Sequence, residues 1–185
     1  MEHKGTVYME TPRLILRRFV LSDLEPMYEN CWRHKSVTKW TSYAPMDCLE
    51  DVQNKAEMFT EKWLSYDNPK RYSWAIVEKE SNRVIGRMFG MHPDDKIGQV
   101  ELAYELGPDW WNRGLMTEAV QVVLPFFLRE VGMNRVFAYH ASGNPASGRV
   151  MQKCGMVYEG TLRRAAKCNN GFIDMVCYSM LVSDL

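Results

Sequence analysis

The stretch Glu105-Leu-Gly-Pro-Asp-Trp-Trp-Asn-Arg-Gly-Leu-Met-Thr-Glu-Ala119 joins a strand-like segment, through a Gly-Pro turn, to a helical pattern that begins beside Arg113-Gly114. Such a junction can hold an anion. The first amides of a helix lack intrahelical acceptors and the macrodipole adds partial positive charge, so a glycine that lets phosphate approach the backbone makes the turn a pyrophosphate cradle. It is not a Walker loop, because Gly-x-x-x-x-Gly-Lys is absent, and Gly-x-Gly-x-x-Gly is absent too. The plainer alternative is that Gly114 makes a tight turn before an ordinary core helix. A second stretch, Asn144-Pro-Ala-Ser-Gly-Arg-Val-Met-Gln-Lys-Cys-Gly155, puts Asn144 and Ser147 at the entrance of a short helix directly after a buried strand. Ligands of open α/β sheets bind at such strand ends. Equally, Asn144 fits an N-cap with Pro145 at the first helical position. Two titratable groups lie on the strands before these turns. Glu101 is one candidate for taking a proton, or else an exposed or ion-paired strand residue, and His140 is the other, or else an ordinary core or surface histidine.

The elements that must position these residues follow from period and punctuation. Arg13 to Phe19 reads as a first strand after Pro12, and Ser22-Asp-Leu-Glu25 has the capping-box form that starts a helix through about His34. Asp47 with Glu50 signals a second helix from about 48 to 65, on which Val52, Ala56, Phe59, Trp63 and Leu64 recur at helical spacing. Tyr72 to Val77, Val84 to Met91 and Gln99 to Leu106 are β-branched and aromatic runs separated by turn chemistry, hence a meander of three antiparallel strands. In the last of these, Glu101, Ala103 and Glu105 share one face and Leu102, Tyr104 and Leu106 the other, without saying which is buried. From Leu115 the apolar positions fall on one helical face as far as Val131, with Gly132 as the stop and Pro125 as an internal kink. Arg135 to Ala141 reads as a buried strand and Ala146 to Cys154 as a short helix. Val157 to Leu181 reads as two strands joined by a type I′ turn at Asn170-Gly171. The expected class is α/β (α+β), with a mixed, mostly antiparallel central sheet flanked by helices, in one domain over 1–185.

Composition narrows the function. The 185 residues carry 23 Lys plus Arg against 23 Asp plus Glu, a formal net charge of zero that disfavours a nucleic-acid-coating protein. Five Cys with no Cys-x-x-Cys suit neither a disulfide framework nor a zinc ribbon, and the four His are scattered, so no metal is expected. No apolar leader opens the chain and no apolar run approaches membrane-spanning length, so a cytoplasmic protein with no membrane partner is the expectation.

Taken in order along the chain, the motifs resemble the Gcn5-related N-acetyltransferase (GNAT) superfamily, and within it the branch of Rim-type ribosomal-protein N-terminal acetyltransferases. Glu10-Thr-Pro-Arg-Leu-Ile-Leu-Arg17 resembles the opening strand and Trp111-Asn-Arg-Gly-Leu-Met-Thr-Glu-Ala119 the acetyl-CoA signature. Asn144-Pro-Ala-Ser147, Lys153-Cys-Gly-Met156, Tyr158-Glu-Gly-Thr-Leu-Arg163 and Gly171-Phe-Ile-Asp174 are similar to the closing motifs. One departure is Met116, where the signature often has a second small residue. The resemblance implies a GNAT-like fold and transfer of an acetyl group from acetyl-CoA to a primary amine, by direct attack in a ternary complex. It implies that Asn112, Arg113, Gly114, Leu115, Met116 and Thr117 hold the pyrophosphate, that Tyr104, Glu105 and Leu106 pair with the pantetheine like an added strand, and that Asn144 also binds it. Glu101 stands where some relatives place a base for the amine. Ser147 matches the Rim-like proton donor to the departing thiolate, since Met151 stands where others have Tyr. The acceptor would be a protein N-terminus or a small amine, in a groove that Trp32, Trp40, Tyr43, Trp63 and Tyr66 could line unless they are simply core, and a second copy of the chain is a candidate partner. A non-enzymatic acyl-CoA-binding or interaction module on the same fold is the competing reading.

Overall fold

The computed structural model describes residues 1–54 and 66–185. Eight strands form one sheet: β1 (Met9–Glu10), β2 (Leu14–Arg18), β3 (Tyr72–Glu78), β4 (Arg83–Asp94), β5 (Gln99–Leu106), β6 (Arg135–Ala141), β7 (Val157–Cys168) and β8 (Gly171–Leu181). Their spatial order is β1-β2-β3-β4-β5-β6-β8-β7, antiparallel except for β5 and β6, which are parallel. That parallel step requires a crossover, supplied by α4 (Leu115–Pro125). The remaining α-helices among the described residues are α1 (Leu24–Met27), α2 (Lys35–Thr38), α3 (Leu49–Asn54) and α5 (Pro145–Lys153). None among the described residues is long and apolar enough to cross a membrane.

Both faces of the sheet are covered, which is why every residue of β3 is buried. Trp74 and Ile76 point into the core that α4 closes, with Val120, Val123 and Phe127, while Ala75 and Val77 join Met27, Trp32 and Val52 beneath α1 and α3. Period-2 alternation thus feeds two cores from one strand.

The meander, the strand at 135–141 and the stop at Gly132 (φ +81°) agree with the sequence reading. Elsewhere the local chemistry differs. The expected helix from Ser22 to His34 is broken into a 3-10 turn (Leu21–Asp23), α1 and a π turn (Tyr28–Trp32), with α2 following it. Its N-terminal carboxylate is Asp23, which accepts from Val20 N–H at 2.9 Å and is held by Arg17, so the expected Ser22/Glu25 box does not form. The second helix starts at Leu49, where Asp51 accepts from the amides of Asp47 and Cys48, and its expected continuation over 55–65 lies outside the described residues. The 115–131 helix runs as α4 to Pro125 and then widens into a π turn over Phe126–Val131, because proline offers no N–H to the preceding turn. In the last hairpin the loop residues are Asn169 and Asn170, Cys168 pairs with Gly171, and only Gly171 is left-handed (φ +94°). A type I′ turn would need two left-handed residues in the loop.

Candidate active site

After β5 the chain turns at Gly107, where a Cβ would lie 2.4 Å from the Asn30 carbonyl oxygen. The side chains that follow are tied down by polar contacts. Trp110 is buried with its indole N–H on Glu78 (2.9 Å), Trp111 Nε1 donates to the Leu106 carbonyl (2.7 Å), and Arg113 pairs with Glu78 (2.8 Å). Burial alone would raise the Glu78 carboxyl, but donation from Trp110 and Ser81 and the charge of Arg113 hold it below the usual carboxylate range. Arg13 clamps the loop from outside, donating to the Arg113 carbonyl (2.9 Å) and pairing with Glu118 (2.7 Å). Asn112 (φ +59°) and Gly114 (φ +76°) are both left-handed, which turns the chain sharply before the helix.

At the start of α4 the first intrahelical bond runs from Glu118 N–H to Gly114 C=O (3.0 Å), and no side chain caps the end. The N–H groups of Leu115, Met116 and Thr117 therefore have no helical acceptor. Met116 explains its own size: its side chain is buried in the core, so its amide is what remains at the turn. A Cβ on Gly114 would meet nothing nearer than Arg13 Nη2 at 3.7 Å, so the left-handed φ, not crowding within the protein, demands glycine there.

The strands shape the rest. β5 pairs with β6 only at Gln99↔Arg135, Val100↔Val136 and Glu101↔Phe137, whereas its ladder with β4 continues to Leu106. Beyond Glu101 the two strands part, and a cavity of about 750 Å³ occupies the opening. Asn112, Gly114, Leu115, Met116, Thr117 and Asn144 line it, as do Tyr104, Glu105, Leu106 and Ser147. Arg113 is not a lining residue, its side chain being committed to Glu78. Asn144 begins α5 at the N-cap position, yet its side chain makes no capping bond and is left facing the cavity. Ser147 Oγ donates to Tyr104 Oη (3.1 Å), which itself donates to the Ser147 carbonyl (3.1 Å). Burial pushes the Tyr104 phenol up, so this pair stays protonated at neutral pH.

Leu102, Tyr104 and Leu106 belong to the core under α4 and α5, and Glu101, Ala103 and Glu105 to the opposite side. Glu101 is half-buried at the last paired position, where the opening begins. Burial raises its carboxyl above 4.5 while His92 draws it back. It does not line the cavity, although it is close enough to raise the Tyr139 phenol, which does. His140 lines the cavity on the α5 face, with Nδ1 on the Ala141 carbonyl (2.8 Å) and Nε2 only 2.6 Å from where a Cβ on Gly148 would stand. The two candidate bases are therefore on opposite faces of the sheet.

Two features escaped the sequence reading. The Glu105 side chain takes Trp32 Nε1–H (2.8 Å), the Tyr43 hydroxyl and the buried Arg87 guanidinium (2.6 Å). Burial opposes the Arg87 charge, but Glu105 and Tyr43 more than restore it. Arg149 and Lys153 line the cavity from one face of α5, a pair whose i,i+4 spacing was visible in the sequence. Of the five aromatics expected at an acceptor groove, Trp40 lines the cavity, Trp32 and Tyr43 hold Glu105, Tyr66 Oη accepts from the Phe19 N–H (2.6 Å), and Trp63 lies outside the described residues. Among the described residues no three His, Cys, Asp or Glu side chains gather as a metal site needs.

An uncapped helix start, a parted pair of parallel strands and an unspent Asn144 fit a long ligand with a pyrophosphate and an amide-bearing arm. Comparison with known proteins gives the family. Residues 13–157 match the acetyltransferase (GNAT) domain family. The uncharacterized N-acetyltransferase YoaA of Bacillus subtilis is 28% identical over 174 residues, covering 94% of this chain and 96% of that one. The crystal structure of the microcin C7 self-immunity acetyltransferase MccE, in complex with acetyl-CoA and AMP, shares the fold at TM-score 0.80 and 20% identity, covering 92% of this chain and 93% of that one. The ribosomal-protein-S5-alanine acetyltransferase of Vibrio fischeri does so at TM-score 0.75 and 18% identity, covering 96% and 98%. The chain belongs to the GNAT family of acetyl-CoA-dependent N-acetyltransferases.

Proposed function

We propose that the protein acetylates a primary amine by direct attack of the amine within a ternary complex with acetyl-CoA. The observation that carries this is one continuous cavity, with unpaired helix-start amides at one end and access to the other face of the sheet through the opening between β5 and β6. Acetyl-CoA supplies an activated acetyl group and a thiolate leaving group. The amides of Leu115 to Thr117, with Asn112 and Gly114, would hold its pyrophosphate, and Arg149 and Lys153 would add positive charge. The unpaired edge of Tyr104, Glu105 and Leu106 would bind the pantetheine arm as a strand, with Asn144 across from it.

The acceptor arrives largely as an ammonium, which has no lone pair for attack. Glu101, with its raised carboxyl on the acceptor face, would take the proton, and because its side chain stops short of the cavity the transfer would run through a water. His140 suits this less, since it sits on the cofactor face beneath Gly148. Ser147, backed by Tyr104, would give a proton to the departing thiolate.

Titrating acetyl-CoA into the purified chain and following thiol release over peptides and small amines tests the proposal. Binding with release in the presence of an amine supports it. Binding without release for any amine favours the acyl-CoA-binding module instead.

A further inference from the structure

The acceptor end of the cavity has a charge pattern and a boundary that acetyl transfer alone does not require. Glu105 is the single carboxylate among its described lining residues, and Arg87, Trp32 and Tyr43 already engage it. Lys39 and Lys167 line the same end, and neither has a carboxylate partner among the described residues. Lys39 Nζ lies 4.8 Å from the Trp40 ring centroid and Lys167 Nζ 5.8 Å from that of Phe172. A second ammonium on the acceptor would meet these lysines with no counter-charge, whereas an anion would find two.

The boundary comes from one residue of the β7–β8 turn. Asn169 N–H donates to the Thr41 carbonyl (3.0 Å), and its Nδ2 donates to the carbonyls of Thr38 (2.9 Å) and Tyr43 (2.7 Å). Those bonds strap the 38–43 segment to the hairpin. Within it Trp40 packs so closely on Gly143 that a Cβ there would lie 2.3 Å from the ring. Trp40 also joins Ala141, Ile173 and Met175 in an apolar cluster. This end therefore has an apolar wall, closed on the side of the 38–43 segment, and a cationic edge.

We propose that the acceptor is a small primary amine that carries an anionic group on an apolar body and no second positive charge. The inference rests on the acetyl-transfer reading above. Thiol release at saturating acetyl-CoA, using pairs that differ only in the anion, tests it: L-tryptophan against tryptamine for a carboxylate, and 2-aminoethyl phosphate against ethanolamine for a phosphate. The expected result is a kcat/KM about tenfold or more higher for the anionic member of at least one pair, the scale of a hydrogen bond to a charged group. Spermidine should give no release. Lys39→Glu should erase the preference by raising KM for the anionic member while leaving KM for acetyl-CoA unchanged. Preference for the cationic member, faster turnover of spermidine or of an acidic peptide, or a preference untouched by Lys39→Glu would overturn the inference while acetyl transfer stood. Acetyl-CoA binding without turnover of any amine would overturn it together with the transfer reading, and so would the absence of binding.

Discussion

At the scale of single residues, the site depends on a few atoms whose roles can be separated. Gly114 is needed for its backbone angle, so Gly114→Val should cost about 1–2 kcal/mol of stability from the left-handed strain. Its β-branched side chain would also stand over the free amides. The acetyl-CoA-induced rise in melting temperature should vanish while the apo protein still melts cooperatively, as differential scanning fluorimetry would show. Glu101 predicts a pH dependence of known sign. Its carboxyl titrates above 4.5 in the fold because burial disfavours the charge, so the native state binds the proton more tightly than the unfolded chain. Between 4.5 and that raised value this group therefore takes stability away as pH rises. Glu101→Gln should raise the melting temperature at pH 7 and lose that gain below pH 4.5. If Glu101 is the base, the same variant should lower kcat by about 10²–10⁴-fold and regain part of it at high pH, where free amine is abundant. Ser147→Ala should lower kcat by a similar factor and lose less with an acyl donor whose thiol is more acidic. The sequence held Gly114, Asn144 and Ser147 because turn and cap chemistry is local. It gave no sign of the Glu105–Arg87 pair, whose members come from neighbouring strands and meet only through the β4–β5 register.

At the scale of elements, what was legible was what repeats. The strands at 72–78 and 135–141 and the helix from 115 announce themselves by period, and Gly132 by its left-handed stop. The region from Ser22 to Thr38 did not, because four short turns of three kinds share a helical composition and only tertiary contacts choose among them. Arg17 drawing Asp23 is one such contact, and the Asn30 side chain reaching the Val84 carbonyl (2.6 Å) is another. The π turn after Pro125 has a packing consequence as well. It brings Phe126 and Phe127 edge-on to Tyr72 and Trp74, with ring centroids 4.8 Å apart for Tyr72 and Phe127. Gly90 on β4 makes room for that contact, since a Cβ there would fall 2.4 Å from Phe127 Cζ. Gly90→Ala should therefore destabilise the fold by about 1–3 kcal/mol through overpacking. Phe127→Leu in the same chain should return part of the loss, a coupling of at least about 0.5 kcal/mol in urea denaturation. Additive losses would mean that the helix shifts instead.

For the whole molecule, the sheet behaves as two blocks that share one short seam. β1 to β5 form an antiparallel block backed by α1 and α3, and β6 to β8 form a second, while the seam between them is the ladder from Gln99↔Arg135 to Glu101↔Phe137. Past Glu101 the strands that flank the opening lack each other as partners, so amides on the open side of residues 102–106 have no ladder bond across it. In place of a ladder bond there, the Tyr104 side chain of β5 is tied to Ser147 of α5. A ligand lying in the opening should then act as the missing strand. At 100 times its Kd, acetyl-CoA should stabilise the fold by about 2.7 kcal/mol. Its local footprint is the sharper test. Hydrogen exchange should slow at 102–106 and at the amides of Leu115 to Thr117 when acetyl-CoA is added, because those groups exchange water for ligand acceptors. The turn at Asn169-Asn170, already bonded to the 38–43 segment, should change little. If protection rose only in proportion to global stability, equally in all slowly exchanging strands and not at 115–117, acetyl-CoA would be binding somewhere other than this opening.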